Sequence, residues 1–439
     1  MRSAQSASGI YKFAIRTAQS HTNFTYMKIA IIGDMHLGAF QADERREDSF
    51  IQAREAIELA LKENADLILL AGDIFDTRVP TQDILAKAME IFHLPKKKYP
   101  LLKQEAEIES LHGKSEKEIP RSSLFGIPIV AIHGNHDRRG KGLTNPVELL
   151  EKAGLLIHLN VGTIVLSLKG EKIAIHGMSY VPEKYAREVL QKLNPIPVKG
   201  ATNIFMFHQA VGQYLYSDEE HPTLMLEDLP RGFNLVVDGH IHWSDNYKGD
   251  GLNFLLAGST ISTQMRRIEA ERPKAIHIFE NGKLRQKKLE TQRELFYETL
   301  TFNEIEPDPL RKKVSEVLSK IPEKNKKPLV RLVLKGTIKH GFEAADLNLH
   351  KIEEEFRDRC ILHIGREKLF SKETAGTREI LEELLKKQIS IEERGVQILQ
   401  KNLAESDFKD LTKIEEFFNT LIENGTDSAY KFLRGNLKK

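Results

Sequence analysis

The residues of this chain that could do chemistry fall in five short clusters. In order they are Gly33-Asp34-Met35-His36, Gly72-Asp73-Ile74-Phe75-Asp76, Gly134-Asn135-His136-Asp137, a lone His208, and Gly239-His240-Ile241-His242. Together they offer carboxylates, a carboxamide and five imidazoles, with no thiolate among them. Hard and borderline divalent cations such as manganese, iron, zinc or magnesium prefer that nitrogen and oxygen donor set. The donors exceed what one ion needs, and a pair of ions about 3.5–4 Å apart with a shared carboxylate would use the surplus. Such a pair acidifies water near neutral pH and clamps a phosphate oxygen during in-line attack. The glycines fit the same picture, because they let the backbone turn sharply where side chains crowd together.

Each cluster taken singly has an ordinary structural explanation. A histidine at a strand end is commonly just hydrogen-bonded, Asn-His-Asp can be a turn, and His-x-His on a strand merely puts two rings on one face. The order and placement of the five separate them from chance, since each ends an apolar run: residues 29–32, 67–71, 129–132, 204–207 and 235–237. These runs read as buried strands. Helical patterns lie between them, at 50–62 (with Ile51, Ala56, Ile57, Ala60 and Leu61 on one side) and at 83–92. Alternating strands and helices from residue 27 to about 280 define an α/β unit, and polar groups at the carboxyl ends of its strands converge on one rim. The other eleven of the 16 histidines, His93, His158 and His277 among them, read as structural or surface residues.

Composition narrows the class. A chain of 439 residues is long enough for about three domains. Its 40% apolar and 29% charged residues exclude a disordered or fibrous chain. Lys and Arg number 65 against 63 Asp and Glu, a net charge of +2. Any nucleic-acid binding must therefore come from local patches rather than bulk charge. The single cysteine, Cys360, excludes an intrachain disulfide and a thiolate zinc site. No apolar stretch is long enough to span a membrane as a helix. Residues 1–26 contain Arg2, Lys12 and Arg16 and no acid, and read as a floppy or mis-assigned extension more than a targeting segment.

The rest of the chain organises around this unit. Residues 95–121, rich in Lys and Glu, read as a solvated insertion, and residues 285–290 as a charged link. Beyond it come a strand at 295–302, a helix at 309–321, a strand at 328–338, a helix at 344–359 and a strand at 360–364, a small βαβαβ unit. From residue 373 two amphipathic patterns follow, one through Ile380, Leu384 and Val396, the second through Leu411, Ile414, Phe417 and Leu421. Two such helices bury little alone and need a surface to dock on.

At residues 27 to about 280 the five clusters resemble the calcineurin-like metallophosphoesterase superfamily. The resemblance implies a β-sandwich flanked by helices, with Asp34, His36, Asp73 and His242 holding one ion and Asp73, Asn135, His208 and His240 the other. It makes His136 the catalytic imidazole that contacts the phosphate and serves the leaving oxygen, with Asp76 and Asp137 supporting the site from behind. Asp76 is expected to orient His136 through a hydrogen bond from its carboxylate.

Three further stretches resemble the family of double-strand-break-repair nucleases to which the bacterial SbcD proteins belong. They are residues 257–274 (Ala257-Gly258-Ser259-Thr260 through Arg272-Pro273-Lys274), Arg293-Glu294-Leu295-Phe296-Tyr297-Glu298, and Lys327-Pro328-Leu329-Val330-Arg331-Leu332. That resemblance implies a nuclease domain at 27–285, a DNA-capping domain at 293–368, and a helical segment at 373–425 that binds an SMC-like coiled-coil ATPase of the SbcC type. It further implies an intracellular (cytoplasmic or nucleoid) homodimer with two Mn2+ ions, acting on DNA as a 3′-to-5′ exonuclease on duplex ends and an endonuclease on single strands. Arg138, Arg139 and Lys141, directly after the Asn-His-Asp motif, are the first candidates for DNA contact, with Arg266, Arg267 and residues 335–339 behind them. Candidates for the dimer contact are Ile84, Leu85, Ala88, Met89 and Phe92, with Val147, Leu149, Leu150 and Ala153, and ordinary core burial accounts for them equally well. One departure is Asp76, where the archaeal and eukaryotic branch usually has histidine and the bacterial branch Asp. A phosphomonoesterase acting on phosphoproteins or nucleotides explains residues 34–242 equally well, but leaves the βαβαβ unit and the tail without a role.

Overall fold

Strand β1 (Lys28–Ile32) is buried from Ile29 to Ile32 on both faces. A strand without a polar face has to lie inside a layered structure. The computed structural model describes residues 26–97, 106–140, 142–216, 222 and 224–371, and of the remainder only residues 396, 416, 417, 420, 421 and 430–432. After β1 come α1 (Asp48–Lys62), β2 (Leu67–Leu70), α2 (Gln82–Lys97), β3 (Glu107–His112), β4 (Ile129–Ala131), α3 (Pro146–Lys152) and β5 (Ile157–His158). Then follow β6 (Val161–Leu168), β7 (Glu171–Met178), α4 (Glu183–Leu193), β8 (Thr202–Phe207), β9 (Leu235–Asp238), β10 (Asp245–Gly249) and β11 (Leu252–Leu256). The short α5 (Arg267–Glu271), β12 (Ala275–Glu280) and β13 (Lys283–Lys288) complete the first unit.

Two sheets result, ordered β13-β12-β1-β2-β4-β5 and β10-β11-β9-β8-β7-β6-β3. Alternate residues explain the layering. Ile29, Ile31, Leu67, Leu69, Val130 and Ile132 of the first sheet meet Ile164, Ile175, Ile204, Met206 and Val237 of the second in one core. The opposite residues of the first sheet, Ala30, Ile32, Ile68 and Leu70, pack under α1, α2 and α3. The outer face of the second sheet, with Phe205, Phe207 and Phe254, packs under α4. This is the β-sandwich flanked by helices, and the mixed α/β class, that the sequence predicts.

Several expectations need correction. Residues 95–121 are not simply a solvated insertion: Pro95 belongs to α2, and β3 pairs antiparallel with β6 at the edge of the second sheet. The supposed link at 285–290 is largely strand, because β13 pairs with β12 through Lys288. Ile51 of α1 is exposed, and Phe50 takes its place on the buried face. Of the dimer candidates, Ile84, Ala88, Phe92, Val147 and Leu150 are core residues of this unit, and Leu85 and Met89 pack against the same core.

The second unit is β14 (Leu295–Ile305), α6 (Pro307–Leu318), β15 (Leu329–Ile338), α7 (Leu349–Phe356) and β16 (Ile361–Ser371). Its three strands run parallel in the order β14-β15-β16, and one face is covered by α6 and α7 over Leu310, Val314, Leu332, Leu334 and Ile352. The helix expected at 344–359 is broken at Asn348, which sits at φ +48° between a short 3-10 turn and α7. The last strand runs seven residues past its expected end at 364, to Ser371. The amphipathic patterns from residue 373 lie, apart from isolated residues, outside the described residues.

Candidate metal centre

The strand ends deliver the five clusters to one rim. Asp34, Asp73 and Asn135 follow β1, β2 and β4 of the first sheet; His208, His240 and His242 follow β8 and β9 of the second. The site therefore straddles the seam of the sandwich. Its backbone is strained where the donors sit: His36, Asp73 and His240 adopt φ of +45°, +40° and +68°, a region that costs a non-glycine residue about 1–3 kcal/mol. At Gly134 and Gly239 closeness rather than turning requires glycine. A Cβ on Gly134 would stand 2.0 Å from Asp73 Oδ1, and one on Gly239 2.2 Å from the Ala71 carbonyl.

All seven expected ligands come together. His36 Nε2 and His242 Nε2 face each other at 3.0 Å, and Asp34 Oδ2 is 3.7 Å from His242 Nε2. On the other side, His208 Nε2 and His240 Nδ1 converge on Asn135 Oδ1 at 3.2 and 3.1 Å. Asp73 lies between the groups, its Oδ2 being 3.4 Å from His208 Nε2 and 3.9 Å from His36 Nε2. Asp34 reaches across as well, with Oδ1 3.8 Å from His208 Nδ1.

Electrostatics test whether a cation fits. Asp34 is fully buried, and among the described residues no close hydrogen bond reaches either of its carboxylate oxygens, an expensive state for an ionised group. Burial drives its pKa well above the carboxylate range, against the pull of His208 and with the push of Asp73. Burial acts the same way on Asp73, but the charge and hydrogen bond of His208, with the charges of His36 and His136, overcome it and hold Asp73 below that range. Burial lowers His208, yet Asp73 and Asp34 outweigh it and lift the imidazole to about 10. Burial and then His208 push His240 down to about 3, while burial and His36 depress His242 strongly. Two buried carboxylates thus demand positive charge at their centre, which a protonated His208 supplies here and a cation would supply in its place, while His240 and His242, held neutral, are in the form that coordinates a metal. Divalent cations fit this site.

A surrounding layer fixes these donors. The Asp137 carboxylate accepts from the backbone N–H groups of Gly134 (3.0 Å), Ile74 (3.0 Å) and Phe75 (2.8 Å), tying the Asp73 loop to the Asn135 loop. Burial and then Asp73 raise it to about 7, against those three donors. The His136 N–H donates to Asp73 Oδ1 at 2.8 Å. The His136 ring is oriented differently from expectation: its Nδ1 lies 2.7 Å from the backbone carbonyl of Asp76, not from the carboxylate. The Asp76 carboxylate instead stands 3.2 Å from His36 Nδ1.

Sequence reasoning missed other supports. Thr263 Oγ1 meets His242 Nδ1. Buried Lys274 donates to the His242 carbonyl (2.7 Å), Ser259 Oγ (2.9 Å) and Glu269 Oε1 (2.7 Å). Tyr216 donates to the His240 carbonyl at 2.6 Å. Thr263 and Lys274 lie in a stretch that resembled a family segment, but nothing in their spacing announced a role.

The basic candidates divide. Arg138 and Arg139 are half-buried on the loop that carries His136, whereas Lys141 lies outside the described residues. Arg266 is held by the Tyr216 carbonyl and Gln264, and Arg267 by Thr299 and the Tyr297 ring. Lys339 pairs with Glu306.

The fold and the rim together define a phosphoesterase. The sequence profile of the calcineurin-like phosphoesterase family matches residues 27–244, and these residues form a domain of that family. Beyond the family, the chain is similar to double-strand break repair proteins. It is 28% identical over 296 residues to the MRE11 protein of Encephalitozoon cuniculi, covering 63% of this chain and 50% of that protein. It is 28% identical over 248 residues to the Mre11 protein of Saccharolobus solfataricus, covering 55% and 57%. With the human MRE11 protein it is 25% identical over 456 aligned positions, covering 87% and 63%. The chain thus spans between half and five-eighths of these relatives' lengths. The resemblance to this nuclease family, drawn above from short motifs, extends over most of the chain.

Proposed function

We propose that this protein is a metal-dependent DNA nuclease acting at double-strand breaks. The Asp34 carboxylate carries this reading: buried, with no close hydrogen bond to either oxygen among the described residues, beside the buried Asp73 and ringed by imidazoles. Asp34, His36, Asp73 and His242 would hold one manganese ion, and Asp73, Asn135, His208 and His240 a second. Bound there, the two cations would acidify a water and neutralise charge on the phosphate.

The chain's own groups do the remaining work. His136 Nδ1–H donates to the Asp76 carbonyl, which fixes the ring and leaves Nε2 as the atom that takes up a proton, to form the imidazolium, and passes it to the departing oxygen. The bond from the His136 N–H to Asp73 Oδ1 sets that ring in register with the metal donors. Asp137 keeps both loops from drifting. In this reading residues 27–285 carry the nuclease site and residues 293–368 cap the DNA. Residues 373–425, mostly outside the described residues, bind an SMC-like ATPase, and the protein works inside the cell as a homodimer.

Purified protein supplied with manganese is expected to degrade a labelled duplex end. His136→Ser keeps the backbone N–H on Asp73 and should retain manganese binding while losing at least about a hundredfold in rate. Release of inorganic phosphate from monoesters, with DNA untouched, would replace this reading by that of a phosphomonoesterase.

A further inference from the structure

A cleft of about 530 Å³ borders the loop that carries Asn135, His136 and Asp137, and the metal centre makes no use of it. His133, Arg138, Arg139, Leu143, Tyr180 and Val181 are among its walls. Tyr180 is the partition between cleft and metal centre. Its backbone N–H donates to the His133 carbonyl at 2.9 Å, and its ring stands edge-on to His208 with 6.4 Å between centroids. A ligand in the cleft is therefore one ring away from the site of phosphate chemistry.

Charge accounting says what kind of ligand. Three acids also line the cleft, Glu118, Glu148 and Glu151. Glu151 pairs with Lys114, Glu148 pairs with Lys152, and Glu118 accepts from the Ser115 N–H. Arg138 and Arg139 are half-buried, and among the described residues neither makes a hydrogen bond or an ion pair. An arginine head without an acidic partner is open to an anionic ligand, and planar oxyanions are what guanidinium groups bind best. Beside polar groups that include His133, His158 and Asn160, the walls carry the Tyr180 phenol with Leu143 and Val181, and it is these that suit the face of a base. The volume lies in the range of small-molecule sites.

We propose that this cleft binds a nucleoside monophosphate unit, its phosphate on Arg138 and Arg139 and its base against Tyr180. The proposal rests on the nuclease reading and deepens it, by giving the nucleotide next to the cleaved phosphate a place of its own. That nucleotide has two sources, the end of the strand being cut or the free product.

The test uses the full chain in EDTA, so that binding is read without metal or turnover. Titration calorimetry compares deoxyadenosine 5′-monophosphate, a short single-stranded oligonucleotide with a 5′-phosphate, and inorganic phosphate. The nucleotide, the oligonucleotide or both should bind at least about tenfold tighter than phosphate, a difference of about 1.4 kcal/mol. Arg138→Gln and Arg139→Gln should each weaken nucleotide binding severalfold. Tyr180→Ala should remove the preference for nucleotide over phosphate, and Tyr180→Phe should keep it, which guards against a folding defect.

Binding of the oligonucleotide alone assigns the cleft to the strand end, and binding of the mononucleotide alone assigns it to the product. Equal affinity for phosphate and nucleotide, or arginine variants that bind like the native protein, overturns the proposal. Nucleotide binding in a protein that cuts no DNA with manganese would sink the nuclease reading and leave the cleft standing. Cutting without nucleotide binding would do the reverse.

Discussion

Gly134 shows how little tolerance the metal centre has at single residues. It has no unusual backbone angle; what it lacks is the Cβ that would collide with both Asp73 Oδ1, at 2.0 Å, and the Asp73 backbone nitrogen, at 2.5 Å. Backbone cannot rotate aside as a flexible side chain can, so Gly134→Ala should displace Asp73. The expected result is a folded protein whose manganese affinity, by calorimetry, falls at least about tenfold, the range seen when supports around metal ligands are disturbed. Unchanged affinity would show that Asp73 has more room than its contacts suggest. The donors themselves were legible in the sequence, because each directly follows an apolar run and all are nitrogen or oxygen types. Their supports were not. Thr263 and Lys274 act on His242 from more than 20 residues away, and the group that orients His136 is a backbone carbonyl, which no residue type reveals.

At the scale of elements, strands buried on both faces were readable and edge strands were not. β1, β2, β4, β8 and β9 are nearly unbroken apolar runs. β13, Lys283–Lys288, is mostly basic, the composition that protects a sheet edge from pairing further, and it therefore read as a link. Its neighbour β12 carries a pH liability. His277 is buried there, its Nε2 3.2 Å from the Ala257 carbonyl, and burial lowers its pKa to about 4. An unfolded histidine titrates near 6.5. The native state thus holds the neutral form while the unfolded state takes up a proton between those values. The stability His277 allows is complete above about pH 6.5 and is lost as pH falls toward 4, an effect of about 3 kcal/mol. Urea unfolding at pH 7 and pH 5 should show a smaller loss for His277→Gln than for the native protein, and equal losses would refute this assignment.

At the scale of the whole molecule, one buried carboxylate joins the two units. The sequence reads a boundary near residue 290 but shows nothing of what spans it, since the partners lie about 245 positions apart. Asp48, at the start of α1, is almost fully buried. Its Oδ2 accepts from Arg293 Nε at 2.5 Å, and its Oδ1 lies 3.2 Å from Lys326 Nζ, just before β15. On the other side it faces Arg45 at 4.0 Å; that guanidinium is itself buried and reaches the Ser262 carbonyl, next to the Thr263 that meets His242. Glu55, farther along α1, adds a second hold by accepting from the N–H groups of Glu290 at 2.7 Å and Thr291 at 3.0 Å. Asp48 faces cations of both units from a buried position, so Asp48→Asn preserves shape and leaves Arg45 and Arg293 without their nearest carboxylate in a dry setting. Removing one member of a buried ion pair costs about 3–5 kcal/mol. Denaturant unfolding should register a loss of that order for Asp48→Asn, with protease cleavage appearing first between residues 289 and 294 as the second unit comes loose. Asp308→Asn, which changes an exposed carboxylate paired with Arg311 within α6, is the matched control and should stay within about 1 kcal/mol of the native protein. If the two variants lose the same amount, the units are held together by packing and not by this charge.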